Sequence, residues 1–446
     1  MPFDTRTPAR QVFPMRALLP LLLASMSVSF AAVLPKPETL PASAALPDPL
    51  VMRDGSRVTS REAWLEKRAP ELRTLFAHYM YGARPSTARP VEGKMIREDR
   101  AALGGQATLR EIEVSCGLAA PVHLLLVIPH STTNQAGARP KAACFLGMNF
   151  HGNYQLLDDP QIQLPRGWVG DKFPGATPNR AAEAGRGKQR ETWALAQSVA
   201  RGYAVATFFS GDVVPDDKTL AETVLDKFSP RGKRGDADTA TIMAWAWGFS
   251  RMLDYLETVP EIDAQRVAVV GHSRNGKTAL LAAAFDQRIA LAIPSQAGCG
   301  GSAPDRLEEN LAKLNANGRP TAETTAVINK NFPHWFCGNF KAFNGEAVVR
   351  LPFDQHALIA LCAPRPVLLS NAEEDLWANP TGQYQMLRAA APVYALWGAA
   401  PQLPEPRPAS GELLAERLGY YIRPGKHSMT TGDWQVWLDY ADKWLK

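Results

Sequence analysis

Arg266-Val-Ala-Val-Val-Gly-His-Ser-Arg-Asn-Gly-Lys-Thr-Ala-Leu280 packs a strand, a bend and the start of a helix into one short stretch. Val267 to Val270 is an apolar run closed by Gly271, the pattern of a buried strand. A small-residue helix, Thr278 to Phe285, begins within a few positions, and Ser273 falls at the bend. A sharp strand-to-helix turn lifts its serine above the sheet edge and exposes the hydroxyl. The usual pattern for such a bend is Gly-x-Ser-x-Gly; here Asn275 holds the last place and the glycine follows at Gly276. Small residues are needed because strand and helix backbones pass close to the serine. The motif alone leaves open an idle serine in a structural turn.

Outward from this stretch, 446 residues suffice for one large domain with insertions. Hydrophobic and charged contents of 46% and 21% are those of a globular protein. A net charge of +5 with no Lys/Arg cluster argues against a nucleic-acid partner. Arg16 precedes an apolar run from Ala17 to Ala32, and Ser29-Phe-Ala31 offers the small residues that a signal peptidase reads. An export signal over 1–31 is expected, with cleavage after Ala31 and with Met1 or Met15 as the start. The run is shorter than the ~20 apolar residues of a membrane span, so a secreted or periplasmic protein with no membrane partner after signal removal is expected. Residues 32–48 are rich in Pro and Ala and read as a flexible leader, and 49–446 as a single catalytic domain. Five cysteines make no disulfide scaffold and no zinc spacing; Cys299 and Cys337 are the pair that could join in an oxidising compartment.

Arg61 to Tyr81 has helical spacing and is expected to cover the sheet. Leu109–Val114, Val122–Ile128, Lys141–Phe150, Tyr203–Phe209, Ile289–Pro294, Pro366–Ser370 and Tyr420–Ile422 read as strands. Asp238–Leu256 and Asp433–Leu445 read as helices, with Trp245 and Trp247 in the core. Asp158 to Glu191 is a long polar loop, of the kind often functional. Alternating strands and helices predict an α/β protein with a mostly parallel sheet between helical layers, a three-layer sandwich.

A serine hydroxyl needs a base to take its proton, and the base needs a carboxylate to fix its tautomer. In α/β-hydrolases these arrive in the order serine, acid, histidine, on loops at one sheet edge. Only His427 lies beyond Glu373-Glu-Asp375, the acidic cluster after the Pro366–Ser370 strand. Asp375 is the first choice for the acid and Glu374 the second. Asn149-Phe-His-Gly-Asn153 lies where this fold often places an oxyanion N–H, or is a plain glycine turn. Arg274 could stabilise an oxyanion or be salt-bridged; Lys277 is a cation at the unfavourable end of a helix and could bond substrate hydroxyls. Trp377 could wall a sugar ring at the pocket rim or belong to the core.

Gly271-His-Ser-Arg-Asn-Gly-Lys277 resembles the Gly-x-Ser-Arg-x-Gly-Lys signature of glucuronoyl esterases, carbohydrate esterase family 15. Ser295-Gln-Ala-Gly-Cys-Gly-Gly301, Phe332-Pro-His-Trp-Phe336, Leu351-Pro-Phe-Asp-Gln-His356, Asp375-Leu-Trp377 and Arg423-Pro-Gly-Lys-His427 resemble further segments, in family order, of its bacterial branch. The resemblance implies the α/β-hydrolase fold with loop insertions near the site, and cleavage of the ester between 4-O-methyl-glucuronic acid on xylan and lignin alcohols. It implies Ser273 as nucleophile, His427 as base and Arg274 as oxyanion stabiliser, with Lys277, Glu323 and Trp377 on the uronate hydroxyls. Glu323 comes from Ala322-Glu-Thr-Thr-Ala-Val-Ile-Asn329, across an apparent insertion around Glu308 to Pro320. In fungal and some bacterial members the acid follows the strand after the elbow; Gln296 stands there, which moves the acid to the later cluster and favours Asp375. A monomer with no metal and no cofactor is expected. The alternatives are an acetylxylan or other carbohydrate esterase of this fold, and a non-catalytic carbohydrate-binding protein.

Overall fold

Ten strands make one mixed, mostly parallel sheet among the described residues. They are β1 (Glu92–Ala101), β2 (Ala107–Ser115), β3 (Val122–Pro129), β4 (Ala142–Asn149), β5 (Ala204–Phe209), β6 (Ile262–His272), β7 (Leu291–Ser295), β8 (Val367–Ala372), β9 (Leu413–Leu414) and β10 (Leu418–Arg423). The order is β1-β2-β3-β5-β4-β6-β7-β8-β10-β9, parallel from β5 through β10 and antiparallel at both flanks. The structure is a computed structural model that describes residues 34–87, 89–130, 140–172, 175–229, 234–306, 321–398 and 400–446. The expected export signal, its cleavage point after Ala31, the choice between Met1 and Met15, and the insertion around Glu308 to Pro320 lie outside the described residues. Among the described residues no helix is long and apolar enough to cross a membrane.

The β6 strand is central, and its alternation separates the two layers. Ala268 and Val270 join Leu291, Ile293 and Leu368 in a core with Trp193 and with Trp434, Trp437 and Leu438 of the closing helix, Thr431–Leu445. Val267 and Val269 are fully buried as well, on the alternate face, where the helices Thr241–Leu256 and Arg274–Phe285 pack on one another. Trp245 and Trp247 are buried, their indole N–H groups bonded to the carbonyls of Val214 and Ser86 at 2.9 and 3.0 Å.

Two expectations, on the leader and on the cysteines, are corrected. The stretch read as a flexible leader is tied down over 36–48: Leu40 is buried, Ser43 N donates to Val349 O at 2.9 Å, and His356 Nε2 lies 2.8 Å from Pro47 O. Backbone carbonyls without side-chain competition make a Pro/Ala stretch a ready acceptor for Arg306, Arg350 and His356. The helical stretch Arg61–Tyr81 packs its rings on the 336–353 segment, with Phe76 and Phe353 centroids at 3.9 Å and Tyr81 and Phe336 at 5.7 Å. Cys299 and Cys337 do not pair: all five cysteines are free and buried. Cys299 Sγ lies 3.4 Å from Asp305 Oδ1 and Cys337 Sγ 3.6 Å from His78 O, so each thiol has its own acceptor.

Candidate active site

Ser273 sits at the carboxyl end of β6 with φ 58° and ψ −127°, a conformation forced by the turn. A Cβ on Gly271 would lie 2.1 Å from Asn275 O, and one on Gly276 2.8 Å from Ser295 O. Both contacts are with backbone, so neither position admits a side chain. Asn275, the departure from Gly-x-Ser-x-Gly, is fully buried and donates from Nδ2 to Met148 O at 2.9 Å. The asparagine thereby ties the elbow to β4. Arg274 opens the following helix, where the first N–H groups have no intrahelical acceptor.

His427 lies in the loop after β10, 41% exposed, and its Nδ1 is 2.6 Å from Oδ2 of Asp375, which is buried. Backbone pairing decides which carboxylate reaches it. Glu373 N donates to Arg423 O and Glu374 N to Gly425 O, which knits the acidic loop to the histidine loop and leaves both glutamates exposed. Gln296 is buried; its Nε2 donates to Ser428 O at 2.7 Å and its Oε1 accepts from Ser428 N at 3.1 Å, so it holds the loop behind His427. Ser273 Oγ and His427 share no hydrogen bond within 3.5 Å. His272, the residue before Ser273, has its ring centroid 4.4 Å from that of His427. Burial, and then the charges of His427, Arg423 and Arg274, hold His272 well below the ordinary histidine pKa and keep it neutral.

Arg274 is held from three sides. Its guanidinium lies 4.4 Å over the ring of Phe150 and 5.9 Å from that of Trp335, and Nε is 2.6 Å from Asp216 Oδ2, an ion pair without hydrogen-bond alignment. Asp216 Oδ1 accepts from His334 Nε2 at 2.9 Å and Trp335 Nε1 at 2.7 Å. Burial alone would raise the Asp216 pKa; Arg274, His334 and Trp335 outweigh it and hold it below the usual carboxylate value. In the stretch Asn149 to Asn153, Asn149 Oδ1 accepts from the N–H groups of both His151 and Gly152, at 3.3 and 2.7 Å. Those two amides are engaged within the turn.

Lys277, one helical turn beyond Ser273, is buried with its three donors directed at Ala297 O, Cys299 O and Glu323 Oε2, at 2.7, 2.5 and 2.8 Å. Gly298, between those two carbonyl acceptors, has φ 61°, and a Cβ there would lie 3.3 Å from Glu323 Oε2 and 3.5 Å from Lys277 Nζ. Glu323 N donates to Trp377 O at 2.9 Å, and Trp377 is 41% exposed beside the exposed Leu376. Lys277, Glu323 and Trp377 are therefore brought together. On the other face of β6 a cavity of about 240 Å³ is lined by Phe150, His151, Trp193, Val270, His272 and Met429. Among the described residues no cluster of His, Cys, Asp or Glu could hold a metal ion.

Asp216, Phe150, His272 and the part played by Gln296 were not anticipated. The one sequence signal for Asp216 is its place in Pro215-Asp-Asp217 shortly after β5.

The sequence model of a family described as "Glucuronyl esterase, fungi" matches residues 193–398. The chain is 40% identical over 404 residues to "Carbohydrate esterase MZ0003" from an unknown prokaryotic organism, a match covering 89% of each. It is 29% identical to "4-O-methyl-glucuronoyl methylesterase 1" of Wolfiporia cocos, over 86% of this chain and 81% of that one. The solved structure of a glucuronoyl esterase from Solibacter usitatus superposes with a TM-score of 0.79 at 32% identity, covering 92% of this chain and all of the other, 100%.

Proposed function

The chain belongs to the glucuronoyl esterase family, carbohydrate esterase family 15, in its bacterial branch, and is a carboxylic ester hydrolase; from that premise we propose that it cleaves the ester joining (4-O-methyl-)glucuronic acid of glucuronoxylan to a lignin alcohol. Ser273 attacks the uronate carbonyl while His427 takes its proton. Asp375 holds the His427 tautomer and stabilises the imidazolium. Arg274 and the first N–H groups of its helix receive the oxyanion. His427 then protonates the departing alcohol, and water repeats the sequence on the acyl-enzyme. The observation that carries this reading is the 2.6 Å contact of Asp375 with His427 at the sheet edge where β6 ends in Ser273.

Lys277, Glu323 and Trp377, linked to one another in a chain that starts one helical turn from Ser273, favour an acyl group with a hydroxyl-bearing ring over acetate. Lys277 has its donors filled, so its part is to set Glu323 and the 297–299 carbonyls around the ring. Export through the N-terminal signal and a monomeric state complete the proposal. Purified protein should hydrolyse methyl or benzyl glucuronate, and Ser273→Ala should abolish this. Hydrolysis of acetyl esters with none of glucuronate esters would refute the substrate. Absence of Ser273 labelling by a fluorophosphonate would refute catalysis in favour of carbohydrate binding alone.

A further inference from the structure

Arg274 has the longest reach of the groups beside Ser273, and an arginine serves an oxyanion only if its fork is already aimed when charge develops. A free arginine side chain is rich in rotamers and loses them when its fork is fixed, so something must hold it. Asp216 takes the Nε edge at 2.6 Å, and Phe150 and Trp335 lie against the guanidinium at 4.4 and 5.9 Å. Among the described residues no hydrogen bond or ion pair occupies the two terminal Nη groups of Arg274. With Nε paired to Asp216 and two aromatic rings beside the guanidinium, that fork is what remains to face the reaction.

Asp216 is itself fixed. Trp335 Nε1 and His334 Nε2 donate to its Oδ1 at 2.7 and 2.9 Å, and its side chain is 13% exposed. The two donors are anchored in turn: Thr241 N and Ile242 N, at the start of the helix Thr241–Leu256, donate to the carbonyls of His334 and Trp335 at 3.1 and 3.2 Å. Trp335 also stacks on Phe332, with centroids 3.8 Å apart and planes at 5°. The dense aromatic run Phe332-Pro-His-Trp-Phe336 thus ends on one carboxylate, and that carboxylate ends on Arg274.

We propose that Asp216, clamped by His334 and Trp335, is the positioning residue that aims Arg274 at the transition-state oxyanion. Asp216 touches no substrate and acts through Arg274 alone. This rests on the oxyanion role given to Arg274 above, but not on the glucuronate assignment, because every ester that Ser273 cleaves passes through an oxyanion.

The test uses the full protein with Asp216→Asn, Arg274→Met and the double variant, assayed on methyl glucuronate and on p-nitrophenyl acetate, with a thermal melt of each. Asp216→Asn should lower kcat about 10- to 100-fold on whichever ester the wild type cleaves, with KM within about twofold. The double variant should be no slower than Arg274→Met. An unchanged kcat, a rise in KM with kcat kept, or losses that multiply in the double variant would overturn the proposal. If Asp216→Asn melts below the assay temperature, Trp335→Phe removes one donor to Asp216 and keeps the ring beside Arg274. It should lower kcat a few-fold in the wild type and not at all in Arg274→Met; equal losses in both backgrounds, or none in either, would count against it.

Discussion

Asp375 Oδ2 lies 2.6 Å from His427 Nδ1, while Gln296, at the end of β7, bonds the backbone of Ser428 on the far side of the same loop. One side of the histidine loop is held by a charge and the other by an amide. The charge fixes the tautomer; the amide fixes the loop.

Asp375→Asn should therefore lower kcat by about 10²- to 10⁴-fold, with a melting temperature near that of the wild type, because the amide supports the wrong tautomer. Glu374→Gln, at an exposed position, should change kcat by less than about threefold. Steady-state kinetics of the two variants decide between the carboxylates, and the reverse order would move the acid to Glu374.

Lys277 and Glu323 form a buried pair, at 4% and 7% side-chain exposure and 2.8 Å. Removing the cation alone strands a buried carboxylate and two carbonyls, so Lys277→Met should cost about 3–5 kcal/mol of stability. Lys277→Met/Glu323→Leu should recover part of that loss while remaining inactive on glucuronate esters. Denaturant melts check the first statement and ester assays the second. A double variant less stable than Lys277→Met would contradict it.

Asp305 is buried beneath the loop that holds Lys277, and burial, followed by repulsion from Asp354, raises its pKa to about 7. Between the unfolded value near 3.8 and about 7, the folded chain keeps a proton that the unfolded chain has released. Its contribution favours folding at low pH and is lost as pH rises through about 7. Asp305→Asn cannot ionise, so its melting temperature relative to wild type should rise from pH 5 to pH 8. A difference that is flat or falls with pH would show Asp305 ionised throughout.

The five thiols are buried and unpaired, and burial pushes Cys116, Cys337 and Cys362 up to about 11 and Cys144 up to about 12. A thiol reagent at pH 8 should find none of them until the protein unfolds, since the thiolate is the reactive form. Reducing agent should leave the melting temperature unchanged. A drop on reduction would reveal a disulfide.

Most strands were legible because a parallel sheet covered on both faces reads as short apolar runs. The β6 run and its elbow are the clearest case. The edge strand β1 escaped because Glu92-Gly-Lys-Met-Ile-Arg-Glu-Asp-Arg-Ala101 is largely exposed and charged, as an edge must be if it is not to pair with another chain. The 36–48 stretch was misjudged for the opposite reason: its composition is that of a tether, and its attachment comes from arginines and a histidine some 300 positions later.

The sequence by itself determined the elbow, and with it Ser273, Arg274 and Lys277, because these lie within one turn of a helix whose start is set by neighbouring residues. It also ordered the acidic cluster and His427 along the chain. Only the tertiary structure decided which of three adjacent carboxylates faces His427, because that follows from β8 and β10 lying side by side and from the backbone bonds of Glu373 and Glu374. It alone revealed Asp216 behind Arg274, 58 residues away in the chain. A polar contact between distant segments leaves no periodicity for a sequence to display; it exists only once the sheet has set the loop ends beside each other.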